Sequence, residues 1–458
     1  MYKNLILILA LSFVGCSFKP PMPQVNGEFT YSIEASNINQ KWWENFHDES
    51  LNSLITQALK NNSNLALASL NVQGARERLS LVDKDFLPSL SISANAKRGQ
   101  SSREVPPFVK NTSSNLSLTA ILNYEIDLWG RVKNKSNSAK SLYKASKYDY
   151  DGARLGLASS VAKAYFLLIA QKMEKAILEK TIKTYKNTMN YQKKQLDFGE
   201  ISKLSYLQSV GEYQNAKVRL ISIKNNLDLA QSALALLVGK DFDDILHKNF
   251  KTSKMLPRPP KVPSGISADV LLNRPDIASS YEKIKSSNYL IGVAKSAHLP
   301  TLSLTAAFGY QSDDLGNILR SSANIWNLAG QFAGKLFDFG RISKNVDIAK
   351  LGQDMEVKRY EIAVKTALNE VRNALNSYKN INQKNKNINS LLNSQEKIYK
   401  LSQTMFKEGE ISQLQLLDAQ RILLNVKLQN IEAKLGMINS IVDIYKAFGG
   451  GFSLDHKK

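Results

Sequence analysis

The chain has 458 residues, 43% hydrophobic and 22% charged, which excludes wholesale disorder. A formal net charge of +21 invites a nucleic-acid reading, but the basic residues are scattered along predicted helices. Pairs such as Lys193-Lys194 and Lys457-Lys458 are short, and no basic stripe with interleaved aromatics occurs. A single cysteine excludes a disulfide framework and any multi-cysteine metal site, and beyond the N-terminus no run of about 20 apolar residues offers a spanning helix.

Residues 1–15 read as a signal peptide: Lys3 supplies the positive region and Leu5 to Leu11 the apolar one. Gly15 directly before Cys16 resembles a lipoprotein signal-peptidase site. Thioether attachment of a diacylglycerol needs a thiol, so the lone cysteine here predicts a lipidated mature N-terminus at Cys16. Ser17 follows it, not the aspartate that retains lipoproteins in the inner membrane.

In chain order, 16–87 reads as the lipidated N-terminal segment with the first helices of a repeat. Residues 88–128 hold a first strand pair. There Leu90, Ile92, Ala94 and Ala96 alternate with polar residues, and Leu116, Leu118, Ala120, Leu122 and Tyr124 alternate with Ser117, Thr119, Ile121, Asn123 and Glu125. Residues 129–240 hold a long and a short helix; Lys133 to Gln195 is free of proline and would span roughly 95 Å as a helix. The short helix carries the heptad seam Tyr213, Ala216, Leu220, Ile223, Leu227, Ala230, Leu234, Leu237. Pro257, Pro259, Pro260 and Pro263 mark a linker over 241–270.

The second half repeats this plan. A helix is expected over 271–299 and a second strand pair over 300–338, with Leu302, Leu304, Ala306, Phe308 and Tyr310 on one face, and Trp326, Leu328, Phe332 and Leu336 on another. Long and short helices follow over 339–448, with seams Tyr360, Val364, Ala367, Val371, Ala374, Tyr378, Ile381 and Leu414, Leu417, Arg421, Leu424, Leu428, Ile431, Leu435, Ile438, Val442, Tyr445. A tail, 449–458, opens with a glycine helix stop.

The repeat is visible residue by residue. Phe86-Leu87-Pro88 recurs as His298-Leu299-Pro300, Leu128-Trp129-Gly130-Arg131 as Asp338-Phe339-Gly340-Arg341, and Gly199-Glu200-Ile201-Ser202 as Gly409-Glu410-Ile411-Ser412. The last of these supplies a turn and a serine able to cap the next helix. Each strand is long enough to cross a bilayer when tilted, with Tyr124, Trp129, Tyr310 and Trp326 near strand ends as an interfacial girdle. A soluble sandwich is the competing reading, weakened by there being only four such strands. Four strands cannot close a barrel, so a membrane reading requires several chains to share one. Three copies give twelve strands, a number the strands alone leave open.

Catalytic, cofactor-binding and metal motifs are missing. His47, His247, His298 and His456 carry no metal-ligand spacing, and no phosphate loop, zincin or nucleophile-elbow motif occurs. Asp-Phe-Gly occurs at 197–199 and 338–340 without the other kinase signatures. The chain reads as a non-enzyme.

Several cues, in order, carry a family resemblance: Trp42-Trp43-Glu44-Asn45-Phe46, Leu59-Lys60-Asn61-Asn62-Ser63-Asn64-Leu65, Phe86-Leu87-Pro88, Asp127-Leu128-Trp129-Gly130-Arg131, Asn273-Arg274-Pro275-Asp276-Ile277, Leu417-Asp418-Ala419-Gln420-Arg421 and Tyr445 to Phe452. With the repeat, the sequence resembles the TolC-like outer-membrane efflux proteins, in the lipoprotein branch that serves resistance–nodulation–division (RND) pumps. The resemblance implies a mixed α and β membrane protein, mainly long α-helices forming a periplasmic α-barrel. Four transmembrane β-strands per chain would join a trimeric twelve-stranded β-barrel in the outer membrane. An equatorial region would gather the N-terminal segment, the linker and the C-terminus. The implied partners are two further copies of the chain, a periplasmic adaptor, an inner-membrane RND-type transporter and outer-membrane lipid, with no cofactor and no nucleic acid.

The resemblance also implies a gate at the helix tips. Asp418 matches a family gate aspartate and would form a three-carboxylate ring that favours cations. Gln415 stands where some relatives carry a second aspartate and would lower the ring's charge. Glu200 and Glu410 fall at the tip turns, as solvated residues or adaptor contacts. Alternatives from other readings are a duct for type I protein secretion and a non-pore coiled-coil lipoprotein; nucleic-acid binding conflicts with the export signal.

Overall fold

The computed structural model describes residues 21–23, 38–39, 41–104, 106, 111–240, 250–260 and 274–452. The predicted signal peptide, Cys16, most of the 241–270 linker, His247, Asn273 and the tail after Phe452 lie outside the described residues. A short strand β1 (Ile38–Asn39) and the 3-10 turn Trp42–Phe46 lead into helices α1 (Glu49–Asn61) and α2 (Ser63–Asp83). Strands β2 (Ser89–Gln100) and β3 (Thr112–Ile126) precede helices α3 (Arg131–Asp197) and α4 (Lys203–Val238). Helix α5 (Pro275–Ser296), strands β4 (Thr301–Ser312) and β5 (Asn324–Ala333), and helices α6 (Arg341–Lys407) and α7 (Gln413–Ala447) repeat the plan, and β6 (Gly451–Phe452) pairs antiparallel with β1. The two long helices are 67 residues each, roughly 100 Å at 1.5 Å per residue.

Two compact units cut across the sequence repeat. The first holds the antiparallel sheet β2-β3-β4-β5 and the helical segments flanking it. Small polar groups let those helices approach closely. Ser138 and Ser286 share a hydrogen bond of 2.7 Å, and the Gln353 amide donates to Asn288 at 2.9 Å. At Gly309 an added Cβ would lie 2.1 Å from the Leu118 carbonyl oxygen, so β3 and β4 tolerate only glycine there.

The second unit is built on a core in which Trp42, Phe46, Leu51 and Ile55 meet Val161, Tyr165, Phe166 and Ile169 of α3, Leu234 and Val238 of α4, and Ile438, Ile441 and Tyr445 of α7. Burying each such side chain stabilises by about 1.5–3 kcal/mol. Trp42 stacks on Tyr445 with ring centroids 5.1 Å apart, and the Asn45 amide donates to the Tyr445 hydroxyl at 3.0 Å. Burial raises the Tyr445 pKa, against the lowering effect of that bond. These contacts give the Trp42-Trp43-Glu44-Asn45-Phe46 run its physical meaning.

Buried polar ties hold the irregular segments to this core. Asp48 accepts from the Leu51 N–H as N-cap of α1, from the Tyr165 hydroxyl at 2.9 Å and from the Ser253 hydroxyl at 2.7 Å. Arg274, also buried, donates to Asp276, to Glu370 at 2.7 Å and to the Ala447 carbonyl at 2.8 Å. It thereby pins the start of α5 to α6 and to the end of α7.

Two expectations are corrected. Strand β5 ends at Ala333, three residues short of Leu336, which stands fully exposed. The last heptad seam is not continuous: Arg421 and Leu414 are exposed, because a guanidinium keeps its charge in water and Leu414 lies in the first turn of α7.

Asp48→Ala is expected to lower the unfolding free energy of the detergent-solubilised chain by about 2–3 kcal/mol, through loss of the cap and of two buried bonds. Denaturant titration followed by tryptophan fluorescence checks this; Asp48→Asn, which keeps a capping oxygen, should recover part of the loss.

Candidate functional site

The register of the sheet decides what each face presents. Leu90 lies opposite Leu122, Leu118 opposite Tyr310, Ala120 opposite Phe308, Phe308 opposite Trp326 and Leu302 opposite Phe332. Even-numbered residues meet even-numbered ones across all three ladders. One face therefore collects Leu90, Ile92, Leu118, Leu122, Leu304, Phe308, Trp326, Leu328 and Phe332, all exposed large apolar side chains. The other face collects Ser91, Ser93, Asn95, Ser117, Thr119, Asn123, Ser303, Thr305, Asn327 and Gln331.

An exposed apolar band on 10- to 15-residue strands, backed by a largely hydrogen-bonding face that also carries Lys97 and Glu125, is the pattern of a sheet with lipid on one side and water on the other. Of the four predicted girdle aromatics, Tyr310 and Trp326 stand on the apolar face at one end of the sheet and Tyr124 stands at the other. Trp129 differs. It lies beyond β3, and its indole N–H donates to the Pro300 carbonyl at 2.7 Å, strapping the strand-to-helix junction. Glu125, at the same end, is held by a two-pronged bond from Arg131.

The two helix tips have the same construction. Gly199 and Gly409 adopt φ of +75° and +78°, which a side chain rarely permits. The Glu200 N–H donates to the Gln195 carbonyl and the Glu410 N–H to the Met405 carbonyl, both at 2.8 Å. Ser202 and Ser412 then cap α4 and α7. Gln415 completes a capping box, its amide oxygen accepting from the Ser412 N–H at 2.8 Å. The side chains of Glu200 and Glu410 are exposed.

Asp418 lies less than two turns past Ser412, exposed, and accepts from Arg421 at 2.6 Å. The structure thus brings Asp418 to Arg421 and Gln415 to Ser412. The pairing partner Arg421 was legible only as the three-residue spacing that makes helical neighbours. Behind them the buried Gln420 donates to the Tyr399 hydroxyl at 3.1 Å, and Arg219 of α4 donates to Asn425 of α7 at 2.8 Å. Burial pushes the nearby Tyr185 hydroxyl up to about 12.

Sequence reasoning missed Glu174 of α3. It is buried, and desolvation together with Glu432 of α7 raises its carboxyl to about 7. One stretch of α3 is also long and apolar enough by composition to cross a membrane, and half of it is buried inside the chain. Among the described residues no group of three or more His, Cys, Asp or Glu side chains could hold a metal ion.

A sheet apolar on one face and polar on the other, continuing into helices of 67 residues with matched tips, defines a membrane channel of the TolC-like class. Comparison with known proteins gives the family. Residues 54–240 and 266–450 match the model of the outer membrane efflux protein family, and the chain belongs to that family. It is 28% identical to the probable efflux pump outer membrane protein TtgC of Pseudomonas putida, over 99% of this chain and 96% of that one. It is 29% identical to the cation efflux system protein CusC of Escherichia coli K12, over 98% and 99% of the two chains. The crystal structure of the Campylobacter jejuni CmeC outer membrane channel superposes with a TM-score of 0.89 at 32% identity, covering 96% of each chain. The chain is an outer-membrane channel component of an efflux pump.

Glu174 makes stability depend on pH. Its folded-state pKa of about 7 lies above the ordinary 4.5, so the folded state holds the extra proton between those values. Stability is therefore fully present below about 4.5 and falls as pH rises through about 7. Glu174→Gln is expected to melt at higher temperature than the parent at pH 8 and to narrow the difference between pH 5 and pH 8, read by thermal denaturation in detergent.

Proposed function

We propose that the chain is the exit duct of a tripartite pump, receiving substrates from an RND-type inner-membrane transporter through a periplasmic adaptor. The observation that carries this reading is the four-stranded sheet, apolar on one face, with β2 and β5 as its open edges. Backbone groups left unpaired in lipid cost several kcal/mol each, so a sheet of this kind persists only by closing with other copies. Three copies give the twelve-stranded barrel. The helical hairpins of both repeats, similar in length, then line a common periplasmic bore, and the duct carries out no chemistry. Cys16, as the lipidated N-terminus, adds an anchor. The N-terminal segment, the linker around Ser253 and the end of α7 form the equatorial region, a reading supported by the bonds from Asp48 and Arg274.

Asp418 gates the bore together with Arg421. Each copy offsets its own carboxylate with a guanidinium, so the ring works as three ion pairs rather than three bare carboxylates. An exposed pair of this kind contributes about 0–1 kcal/mol, weak enough to be rearranged when the tips move apart. Gln415 fixes the start of α7 beneath the gate, and Glu200 and Glu410 stand at the tips where an adaptor would dock.

Single-channel conductance of the full-length protein in planar bilayers tests the gate. The parent should give small openings and Asp418→Ala distinctly larger ones with less preference for cations. Unchanged conductance would discard Asp418 as gate; no pores from folded protein would sink the duct reading. Mass spectrometry of the mature N-terminus should find acyl chains on Cys16, absent in Cys16→Ala; an unmodified Cys16 would refute the anchor.

A further inference from the structure

Toward the loops, the last apolar side chain on the apolar face is Ala96 on β2, Leu116 on β3, Tyr310 on β4 and Trp326 on β5. Ala96 lies opposite Leu116, Leu116 opposite Ser312, and Tyr310 opposite Asn324. The edge of the band is therefore level from β2 to β3, then drops two residues at β4 and two more at β5. That drop is about 13 Å along the strands, over about 14 Å across them. The edge departs from the perpendicular by roughly 40–45°, which matches the tilt of about 35–45° that strands take in an outer-membrane barrel. Held level in a bilayer, this edge is the border of the hydrocarbon, with Tyr310 and Trp326 on it as interfacial aromatics. The helices leave the opposite end of the sheet and extend into the periplasm, so the border belongs to the outer leaflet.

The first residue past the border on this face is Arg98 on β2, Ser114 on β3, Ser312 on β4 and Asn324 on β5, and only Arg98 is charged. Arg98 lies opposite Ser114, and in the next row Gln100 lies opposite Thr112. Facing Cα atoms are about 5 Å apart, so a guanidinium, an amide and two hydroxyls share one patch. Arg98 stands roughly 5 Å outward of the aromatic line once the strands are tilted. Arg98, Gln100 and Thr112 are exposed, and among the described residues the Arg98 guanidinium has no ion-pair or hydrogen-bond partner. Asp314, level with Arg98 two strands away, is turned to its own loop and accepts from the Gly316 N–H at 2.7 Å. Lys97, the neighbouring cation, falls on the polar face opposite Asn115.

We propose that Arg98, with Ser114, Gln100 and Thr112, binds the phosphate of an outer-leaflet lipid. A cation on a lipid-facing position is costly at the bilayer centre and nearly free at the interface, where phosphate is at hand. The guanidinium offers two parallel N–H donors to a pair of phosphate oxygens. The hydroxyls and the Gln100 amide add donors to the same phosphate or to hydroxyls of the headgroup. Below Arg98 the small side chains Ala96 and Ala94 lie beside Leu116 and Leu118, which leaves a shallow trough for an acyl chain. One copy of the chain supplies the whole site, so it depends on the lipid-facing assignment of the apolar face and not on how the copies join.

Native mass spectrometry of the full-length protein, released from detergent after incubation with lipid, tests the site. The probes are lipid A carrying both phosphates and the same lipid A stripped of them. The parent should retain the phosphorylated form several-fold more than the stripped one. Arg98→Gln should abolish most of that preference, and Arg98→Lys, which keeps the charge and loses the fork, should fall between. Lys97→Gln removes an equal charge from the other face and should leave the preference unchanged. Both positions are exposed strand residues, so the variants should fold. Equal retention of the two lipid A forms by the parent would overturn the site, as would an equal loss in Lys97→Gln. Displacement of the phosphorylated lipid by millimolar inorganic phosphate would mark a free-anion site and overturn the lipid assignment. Multimers captured by glutaraldehyde that retain neither lipid would overturn the site and leave the shared barrel standing.

Discussion

Every backbone N–H and C=O that enters lipid needs a partner, and the architecture follows from that requirement. Three antiparallel ladders satisfy the inner strands, and all three keep even-numbered residues opposite even-numbered ones. This parity converts simple alternation along each strand into one apolar face and one polar face across the whole sheet. Gly309 shows how tightly the ladder is drawn, since a methyl group there would collide with the facing backbone. The two edge strands remain unsatisfied within one chain, and the need to close them makes the channel a property of several copies.

The helices solve a different problem, that of starting and stopping elements of 67 residues at matched points. The tips do so with two glycines in the left-handed region and two serine caps, repeated with the same bonds in each half. Packing within each unit then relies on large aromatic and aliphatic groups around Trp42 and Tyr445, and on small or polar contacts such as Ser138 with Ser286. Asp48 and Arg274 add buried bonds that tie irregular segments to this frame. Glu174 is the exception to efficient packing: a buried carboxyl whose ionisation is disfavoured by desolvation and by Glu432.

Much of the chain's charge is paired locally along its helices. Many ion pairs run along a single helix at three- or four-residue spacing, as in Lys358 with Glu361 and Lys193 with Asp197. Asp418 and Arg421 follow the same rule, just behind the α7 cap.

Much of the fold is legible in the sequence, because periodicity is a local property. Alternation at Leu90 to Ala96 and Leu302 to Tyr310 marks strands, the proline-free runs mark the long helices, and the Gly-Glu-Ile-Ser turns mark their ends within two residues. Other features depend on partners distant in the chain. Strand β5 stops at Ala333, although its apolar pattern runs to Leu336, because the last residues have no neighbouring strand within one chain. The strap from Trp129 to Pro300, the Asp48 cluster and the raised carboxyl of Glu174 join segments more than a hundred residues apart. No local pattern encodes such distances. By itself the sequence determined which residues form strands, helices and turns; tertiary structure decided which polar groups are buried together, since burial is set by packing of remote segments and not by spacing along the chain.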